Sequence, residues 1–371
     1  MGLPLTVGIV GAGKISEQYL ATLPSLPMLR LTAVADLDVE RARGVAAEHG
    51  AQALSVDDLL ASPDVDVVLN LTIPSAHVEI GTRALRAGKH VFAEKPLGLD
   101  PVAARDMLDL ADGLGLRYGS APDTVLGTGI QTARTALESG MIGDPVGASV
   151  FWSAPGHERW HPAPAFYYQP GGGPLLDMGP YYLTALVHFF GAVVRVSGVA
   201  SRSGRTRTVG TGPLAGTSIS VEVDTHISAI LEHANGVSST VTVSFEIWQT
   251  RAPLFEVHGT SGTFAVPDPN RFGEPVEVAT GEDPEWRAVP DAAGFIGAGR
   301  GVGLADLAEA VSEDRPHRAS GRLALHVLDI MDAVLRSSAD RAVVPVTSSV
   351  ARPELVPLRA LDPSDPERRL P

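Results

Sequence analysis

Three short stretches bring together residue types that move protons or hold phosphates: GAGKIS (11–16), AEKP (93–96) and GGGPLLDMGPYY (171–182). Of the 29 Lys and Arg residues only three are lysines, Lys14, Lys89 and Lys95. Lysine can give up its proton inside a protein, whereas arginine effectively cannot. A lysine kept at position 95, in a chain that otherwise uses arginine, therefore suits proton transfer; the plain alternative is a point charge on a loop. Asp177 and Tyr181 stand four apart in a helical pattern and share one helix face. Their plain alternative is an Asp near a helix start followed by aromatic core.

The stretch at 11–16 offers a second chemistry. Gly11 allows a tight turn, and Gly13 lets the backbone approach a pyrophosphate at a helix N-terminus, beside Lys14 and Ile15. The third small position holds Ser16 rather than Gly or Ala. Asp36, 23 residues after Gly13, stands where an acid holds the adenosine ribose hydroxyls. An aspartate there repels a 2′-phosphate, and Leu37 and Asp38 offer no cation to receive one, so NAD is favoured over NADP. A glycine turn with a helix-capping Asp is the alternative reading.

Positioning these residues requires a doubly wound sheet. Up to about residue 121, short runs such as LTVGIVG, LTAVAD, VDVVLNL and KHVFAE alternate with amphipathic helical segments, the pattern of a parallel sheet covered on both faces. Lys95 then falls at the carboxyl edge of the fifth strand, where ligands of open α/β sheets bind. Gly50, Gly88 and Gly115 mark helix C-caps. Beyond about residue 146 the period changes to two: a hairpin turns at Asn235-Gly236, with Val221, Val223, Thr225, Ile227, Ala229 and Leu231 on one face. A second hairpin turns on Gly259 and Gly262. The expected division is a nucleotide-binding domain over 1–121 and a substrate and oligomerisation domain over 122–371. Helices within 302–340 are expected to pack back on the first domain, and 350–371 to form an extended tail.

The 371 residues carry a formal charge of −14 and a mean hydropathy of +0.11, which argues against nucleic acid and anionic membranes as partners. With no cysteine there is neither a disulfide framework nor a thiolate metal site, and a reducing cytoplasm is the expected compartment. The longest apolar stretch, LTALVHFFGAVV, is too short for a bilayer. An N-terminal match to a myristoylation pattern is read as chance, because Thr6 lies inside the first expected strand.

Together GAGKIS, AVAD, LTIPSAH (71–77), AEKP, SGMIGDP (139–145), GGGPLLDMG and HGTSGTFAV (258–266) resemble the Gfo/Idh/MocA family of NAD(P)-dependent sugar and cyclitol oxidoreductases over nearly the whole chain. The resemblance implies a Rossmann domain followed by an α/β domain whose large, mostly antiparallel sheet commonly serves oligomerisation, here as a homodimer or homotetramer. It implies that Lys95 is the catalytic lysine and that Asp177 orients the sugar hydroxyl or holds the lysine; desolvation in a cleft and a cationic nicotinamide would both favour neutral Lys95. It further implies that Thr72, Pro74 and His77 serve the pyrophosphate and nicotinamide ribose, and that Glu94 contacts the ribose. Many relatives read DxGxH where this chain has Tyr181. That looks like the branch in which a tyrosine is the acid/base, as in glucose–fructose oxidoreductase and dihydrodiol dehydrogenase. Where many relatives have Asn-Arg, this chain reads Ala121-Pro122-Asp123-Thr124.

The loop HERWHPAPAFYYQPGGG (157–173) mixes aromatic and hydrogen-bonding side chains, a combination suited to a pyranose, whose C–H faces stack while its hydroxyls seek polar partners. Trp160, His161 and Tyr168, with Asp123, are the substrate candidates; an aromatic-stapled surface loop is the alternative. No metal site is expected. His188 reads as a satisfied core histidine, and RSGRTRT (202–208) as a solvated loop. Three functions fit: an oxidoreductase acting on a secondary hydroxyl, a glycosidase that oxidises, eliminates and re-reduces with catalytic NAD, and an NAD-sensing regulator.

Overall fold

The computed structural model describes residues 4–360. The part of the expected tail over 361–371 lies outside the described residues, as do the first three residues of the myristoylation pattern. The first sheet contains β1 (Leu5–Val10), β2 (Leu29–Ala35), β3 (Gln52–Ala53), β4 (Val67–Asn70), β5 (His90–Ala93) and β6 (Tyr118–Ser120). All pairs are parallel in the order β3-β2-β1-β4-β5-β6. Between them run α1 (Ser16–Thr22), α2 (Val39–Glu48), α3 (Val56–Ala61), α4 (His77–Arg86) and α5 (Pro101–Gly113). Val7, Ile9, Val67, Val68, Leu69, Val91 and Phe92 are fully buried, which is why these strands read as unbroken apolar runs. Gly50, Gly88 and Gly115 each take positive φ at a helix end.

The second region begins with α6 (Thr128–Glu138), β7 (Pro145–Ser153), α7 (Pro174–Phe190) and β8 (Val193–Ser201). A short hairpin, β9 (Thr206–Thr208) with β10 (Ser218–Ser220), precedes β11 (His226–His233), β12 (Ser238–Ser244), β13 (Phe255–Gly259) and β14 (Gly262–Ala265). Then come β15 (Val276–Thr280), β16 (Arg287–Val289), β17 (Phe295–Ile296), α8 (Val302–Glu313), α9 (Gly321–Asp340), β18 (Val344–Pro345) and β19 (Arg359–Ala360). Nine strands form one sheet in the order β16-β15-β14-β13-β7-β12-β11-β8-β18; β7 and β12 run parallel and every other pair is antiparallel. Both expected hairpins form, but β11 starts at His226, so Val221, Val223 and Thr225 are not part of it.

Buried α7 fills the space beneath this sheet, and α9 lies against β8 so closely that a Cβ at Gly198 would meet the Val334 carbonyl oxygen at 2.7 Å. α9 also reaches the first sheet. Ser320 bridges Gly119, the Ser120 N–H donates to the Ala319 carbonyl at 3.0 Å, and Arg322 pairs with Asp109 and Asp112 of α5. Residues 346–358 cross the surface as a strap: Val356 is buried, and its N–H donates to Gln131 Oε1 at 2.9 Å. β19 then pairs with β17.

Candidate active site

The carboxyl ends of β1, β4 and β5 meet the N-terminal half of α7 around a cavity of about 260 Å³. Ile15, Thr72, Pro74 and Glu94 line its nucleotide side, Lys95, Asp177 and Tyr181 its floor, and Phe166, Tyr167 and Leu176 the opposite wall.

Gly11 has φ +100°, and a Cβ there would meet the Leu71 carbonyl carbon and oxygen at 2.7 Å, so the β1 turn closes against the end of β4 only with glycine. A Cβ at Gly13 would meet no protein atom within 4 Å. The open face of this turn therefore fits the close backbone approach that a dinucleotide pyrophosphate needs. Ser16 is buried and donates from Oγ to the Gly13 carbonyl at 2.7 Å, closing the turn from inside. The Lys14 side chain is exposed and pairs with Glu17.

Asp36 accepts from the Ala12 N–H at 2.7 Å and the Asp38 N–H at 2.8 Å, tying the end of β2 to the glycine turn. One finding departs from expectation: Arg41, in the first turn of α2, brings its guanidinium to 3.6 Å from Asp36 and 3.2 Å from Asp38. The corner does hold a cation, five residues beyond the acid and one helical turn away in space.

Thr72 donates to Asn70 Oδ1 at 2.6 Å beside the cavity. His77 is fully buried, with Nδ1 2.7 Å from the Pro96 carbonyl and Nε2 3.0 Å from the Thr72 carbonyl. Burial holds its pKa below the ordinary value against the pull of both carbonyls. It fastens the β4 turn to the EKP turn from behind and is not among the cavity's lining residues, in place of the cofactor contact expected of it. Glu94 accepts from Tyr19 Oη at 2.8 Å and from the Lys95 N–H at 3.0 Å.

Lys95 Nζ donates to the Asp177 carbonyl oxygen at 2.7 Å and to Asp177 Oδ1 at 3.0 Å, and lies 5.1 Å from the Tyr181 ring centroid. Burial favours the neutral amine, as expected from sequence, but Tyr181, Asp177 and Glu94 outweigh it and the pKa is raised. The chain on its own thus holds an ammonium. Asp177 feels burial too, which pushes it up, but Lys95 and His157 bring it down to about 2. His157 Nε2 is 3.0 Å from Asp177 Oδ2, while Trp160 Nε1 donates to His157 Nδ1 at 3.3 Å. That pattern requires the Nε2–H tautomer.

The 157–173 loop reaches the cavity through different residues from those expected. Phe166 and Tyr167 line it; Trp160 is 58% exposed and serves His157, and His161 Nδ1 accepts from the Ala163 N–H. Tyr168 is fully buried, donates to Glu158 and accepts from the His157 N–H at 3.1 Å, so it braces the loop from beneath. A Cβ at Gly172 would meet the Phe166 carbonyl oxygen at 2.4 Å, which explains why glycines must follow this aromatic turn. Asp123 is also no substrate contact: fully buried, it accepts from the Gly301 and Gly303 N–H groups at 2.8 and 3.1 Å and caps α8. Arg207, inside the expected solvated loop, is clamped between Glu158 at 3.1 Å and Glu246 at 2.6 Å.

Two residues belong to the site without having been singled out for it. His157 is one of a crowd of loop side chains in the sequence, and its partner Asp177 lies 20 residues away. Arg300, from the loop before α8, donates to Tyr181 Oη at 3.0 Å. No motif spacing marks it, since it lies 119 residues from Tyr181 in a loop between β17 and α8. Among the described residues no group of His, Cys, Asp or Glu could hold a metal ion, and no helix is long and apolar enough to cross a membrane.

Fold and cavity together define an oxidoreductase with an NAD-binding Rossmann domain. Residues 5–121 match the oxidoreductase family with NAD-binding Rossmann fold, and residues 130–265 match the GFO/IDH/MocA C-terminal domain. The chain belongs to the Gfo/Idh/MocA family. It is 29% identical to the trans-1,2-dihydrobenzene-1,2-diol dehydrogenase of Bos taurus over 318 residues, covering 84% of this chain and 88% of that one. It is 31% identical to the dTDP-3,4-didehydro-2,6-dideoxy-alpha-D-glucose 3-reductase of Actinomadura kijaniata, with coverage of 70% and 73%. Levoglucosan dehydrogenase in complex with NADH and L-sorbose shares the fold, with a TM-score of 0.80, 22% identity, and 94% and 100% of the two chains covered.

Proposed function

We propose that this protein oxidises or re-forms a secondary hydroxyl of a sugar, glycoside or cyclitol, with NAD as hydride partner and Lys95 and Tyr181 handling the hydroxyl proton. The observation that carries the reading is one cavity with Lys95, Asp177 and Tyr181 on its floor and Thr72 and Glu94 at its nucleotide edge. The Gly11–Ile15 turn would hold the pyrophosphate, Asp36 the adenosine ribose, and Thr72, Pro74 and Glu94 the nicotinamide end. Bound NAD supplies the two-electron acceptor at nicotinamide C4.

An ammonium has three donors. Lys95 directs two at Asp177, which leaves one for the substrate oxygen. Tyr181, beside the same oxygen, takes its proton during oxidation and returns it during reduction, while the ammonium stabilises charge on that oxygen. Phe166 and Tyr167 offer a surface for the C–H face of a ring. The relatives act, by their names, on a cyclic diol and on nucleotide-linked deoxysugars, which agrees with a ring-borne hydroxyl as the reacting group.

A second copy of the chain is proposed to cover the outer face of the nine-stranded sheet, giving a homodimer or a homotetramer. Ser197, Ile230 and Thr240 form one row across β8, β11 and β12, and Val199, Ser228, Thr242 and Phe151 the next, two rows of hydroxyls and apolar side chains without charge. The cytoplasm is the proposed compartment.

Incubation with NAD and a panel of pyranoses, cyclitols and glycosides tests the function, reading nicotinamide absorbance and product mass together. Stoichiometric NADH with a product two hydrogens lighter is expected. Aglycone release with only traces of NADH would replace the reading by a redox-assisted glycosidase. NAD binding without any product would replace it by a regulator.

A further inference from the structure

Arg300 is buried against Tyr181. Its Nη2 donates to the phenol oxygen at 3.0 Å and to Asn270 Oδ1 at 2.9 Å, and its guanidinium carbon lies 5.4 Å from the ring centroid. We propose that Arg300 is a positioning residue for Tyr181: it aims the phenol hydrogen into the cavity and balances the charge left on the oxygen when that hydrogen departs as a proton. The inference rests on the reading of Tyr181 as proton carrier.

Guanidinium can only donate, so the phenol oxygen must accept from Arg300 and its own hydrogen must point elsewhere. Lys95, whose Nζ lies 5.1 Å from the ring centroid, is also donor-only. The remaining direction is the cavity that Tyr181 lines, where a substrate oxygen would receive the proton. When it does, the O–H pair stays on the phenol as a phenolate, and the proton forms the new O–H bond of the product. In oxidation the same pair takes the proton back.

Charges around the phenol leave Arg300 free for this role. Asp177 is committed to Lys95 and His157, and Glu94 accepts from Tyr19 and from the Lys95 N–H. Tyr167, on the opposite wall, is neutral across the working range because burial pushes its phenol up to about 12. Behind Arg300 stands Asp123, which has committed Oδ2 to the α8 N–H groups. Its Oδ1 is 3.9 Å from Arg300 Nη1, and neither atom has a hydrogen-bond partner among the described residues. No carboxylate therefore forms a hydrogen-bonded pair with this guanidinium, and the direct bond it makes to an ionisable group is the one to Tyr181.

The test needs neither substrate nor cofactor: titrate the whole protein and follow phenolate absorbance. Burial pushes up the other five of its six tyrosines, Tyr19, Tyr118, Tyr167, Tyr168 and Tyr182, and comparison with Tyr181→Phe picks out the phenolate step that belongs to Tyr181. That step is expected to be missing from Tyr181→Phe and to move up by about one to three pH units in Arg300→Gln, which keeps a donor but loses the charge. Arg300→Lys, which keeps the charge, should restore it in large part. Asn270→Ala, which removes only the second bond of Arg300, should leave it in place. An unmoved step in Arg300→Gln overturns the proposal, as does its survival in Tyr181→Phe or an equal shift in Asn270→Ala. Turnover of Tyr181→Phe is read separately: if it stays high while the titration behaves as expected, the reading of Tyr181 as proton carrier fails and its charge coupling to Arg300 stands.

Discussion

Asp177→Asn keeps the shape of the side chain and removes the anion that holds the Lys95 ammonium and the His157 N–H. Turnover is expected to fall about 100-fold or more with NAD affinity unchanged, read as kcat/KM alongside an NAD titration. Wild-type Asp177 titrates near 2, so no acid limb in activity above about pH 4 belongs to it. At the nucleotide end, Asp36→Ser would remove one of the two acid partners of Arg41 and the carboxylate that repels a 2′-phosphate. NADP affinity should rise and NAD affinity fall, each by about tenfold or 1.4 kcal/mol, measured by quenching titrations with NADH and NADPH. These residues differ in how readable they were. Gly11, Gly13, Asp36, Lys95 and Asp177 announce themselves because a tight turn, a sheet edge and a helix face each demand particular residue types at short spacing. Arg41, His157 and Arg300 act across 5, 20 and 119 positions from Asp36, Asp177 and Tyr181, and no local period carries that information. Asp123 and Tyr168 were misplaced for a related reason: polar groups suited to a substrate are equally suited to capping a helix or bracing a loop, and only burial separates the two uses.

The turn between β1 and α1 is the element that most constrains the nucleotide end. Gly11→Ala would add strain of about 1–3 kcal/mol at positive φ and press a Cβ against the Leu71 carbonyl. The expected result is a lower Tm and at least a tenfold loss of NAD affinity, by thermal unfolding with and without NAD. Parallel strands with both faces covered show as continuous apolar runs, and hairpins as alternation around Asn-Gly, so both sheets were legible. The start of β11 was not. Alternation continues upstream through Val221 and Val223, but that segment follows β10 and Val221 packs with Tyr168 and Phe245 in a separate small cluster. Period tells which face a residue takes, not which sheet it joins.

At the scale of the molecule, His188 is the least settled part of the core. It is fully buried with neither ring nitrogen hydrogen-bonded among the described residues, so it is not the satisfied histidine the sequence suggests. Burial first, then Arg134 and Arg352, lower its pKa to about 3, and burial lowers that of His326 to about 4. Both groups take up protons near 6.5 when unfolded, so their contribution to stability is present above that pH and is lost as pH falls towards 4 and then 3. His188→Phe should raise Tm at neutral pH and flatten its decline in acid. If the outer sheet face joins two copies, Ile230→Asp should shift sedimentation towards the monomer without changing the Tyr181 cavity on the opposite side of α7. A different consequence follows from the bond between Ser120 and Ala319. During synthesis the sixth strand of the nucleotide-binding sheet emerges 199 residues before the segment that closes its edge. At about 5–20 residues per second, the ribosome leaves that edge uncovered for roughly 10–40 s. For that interval an open strand is available to any neighbouring chain, and the protein's exposure to misassembly is set by translation speed rather than by the stability of the finished fold.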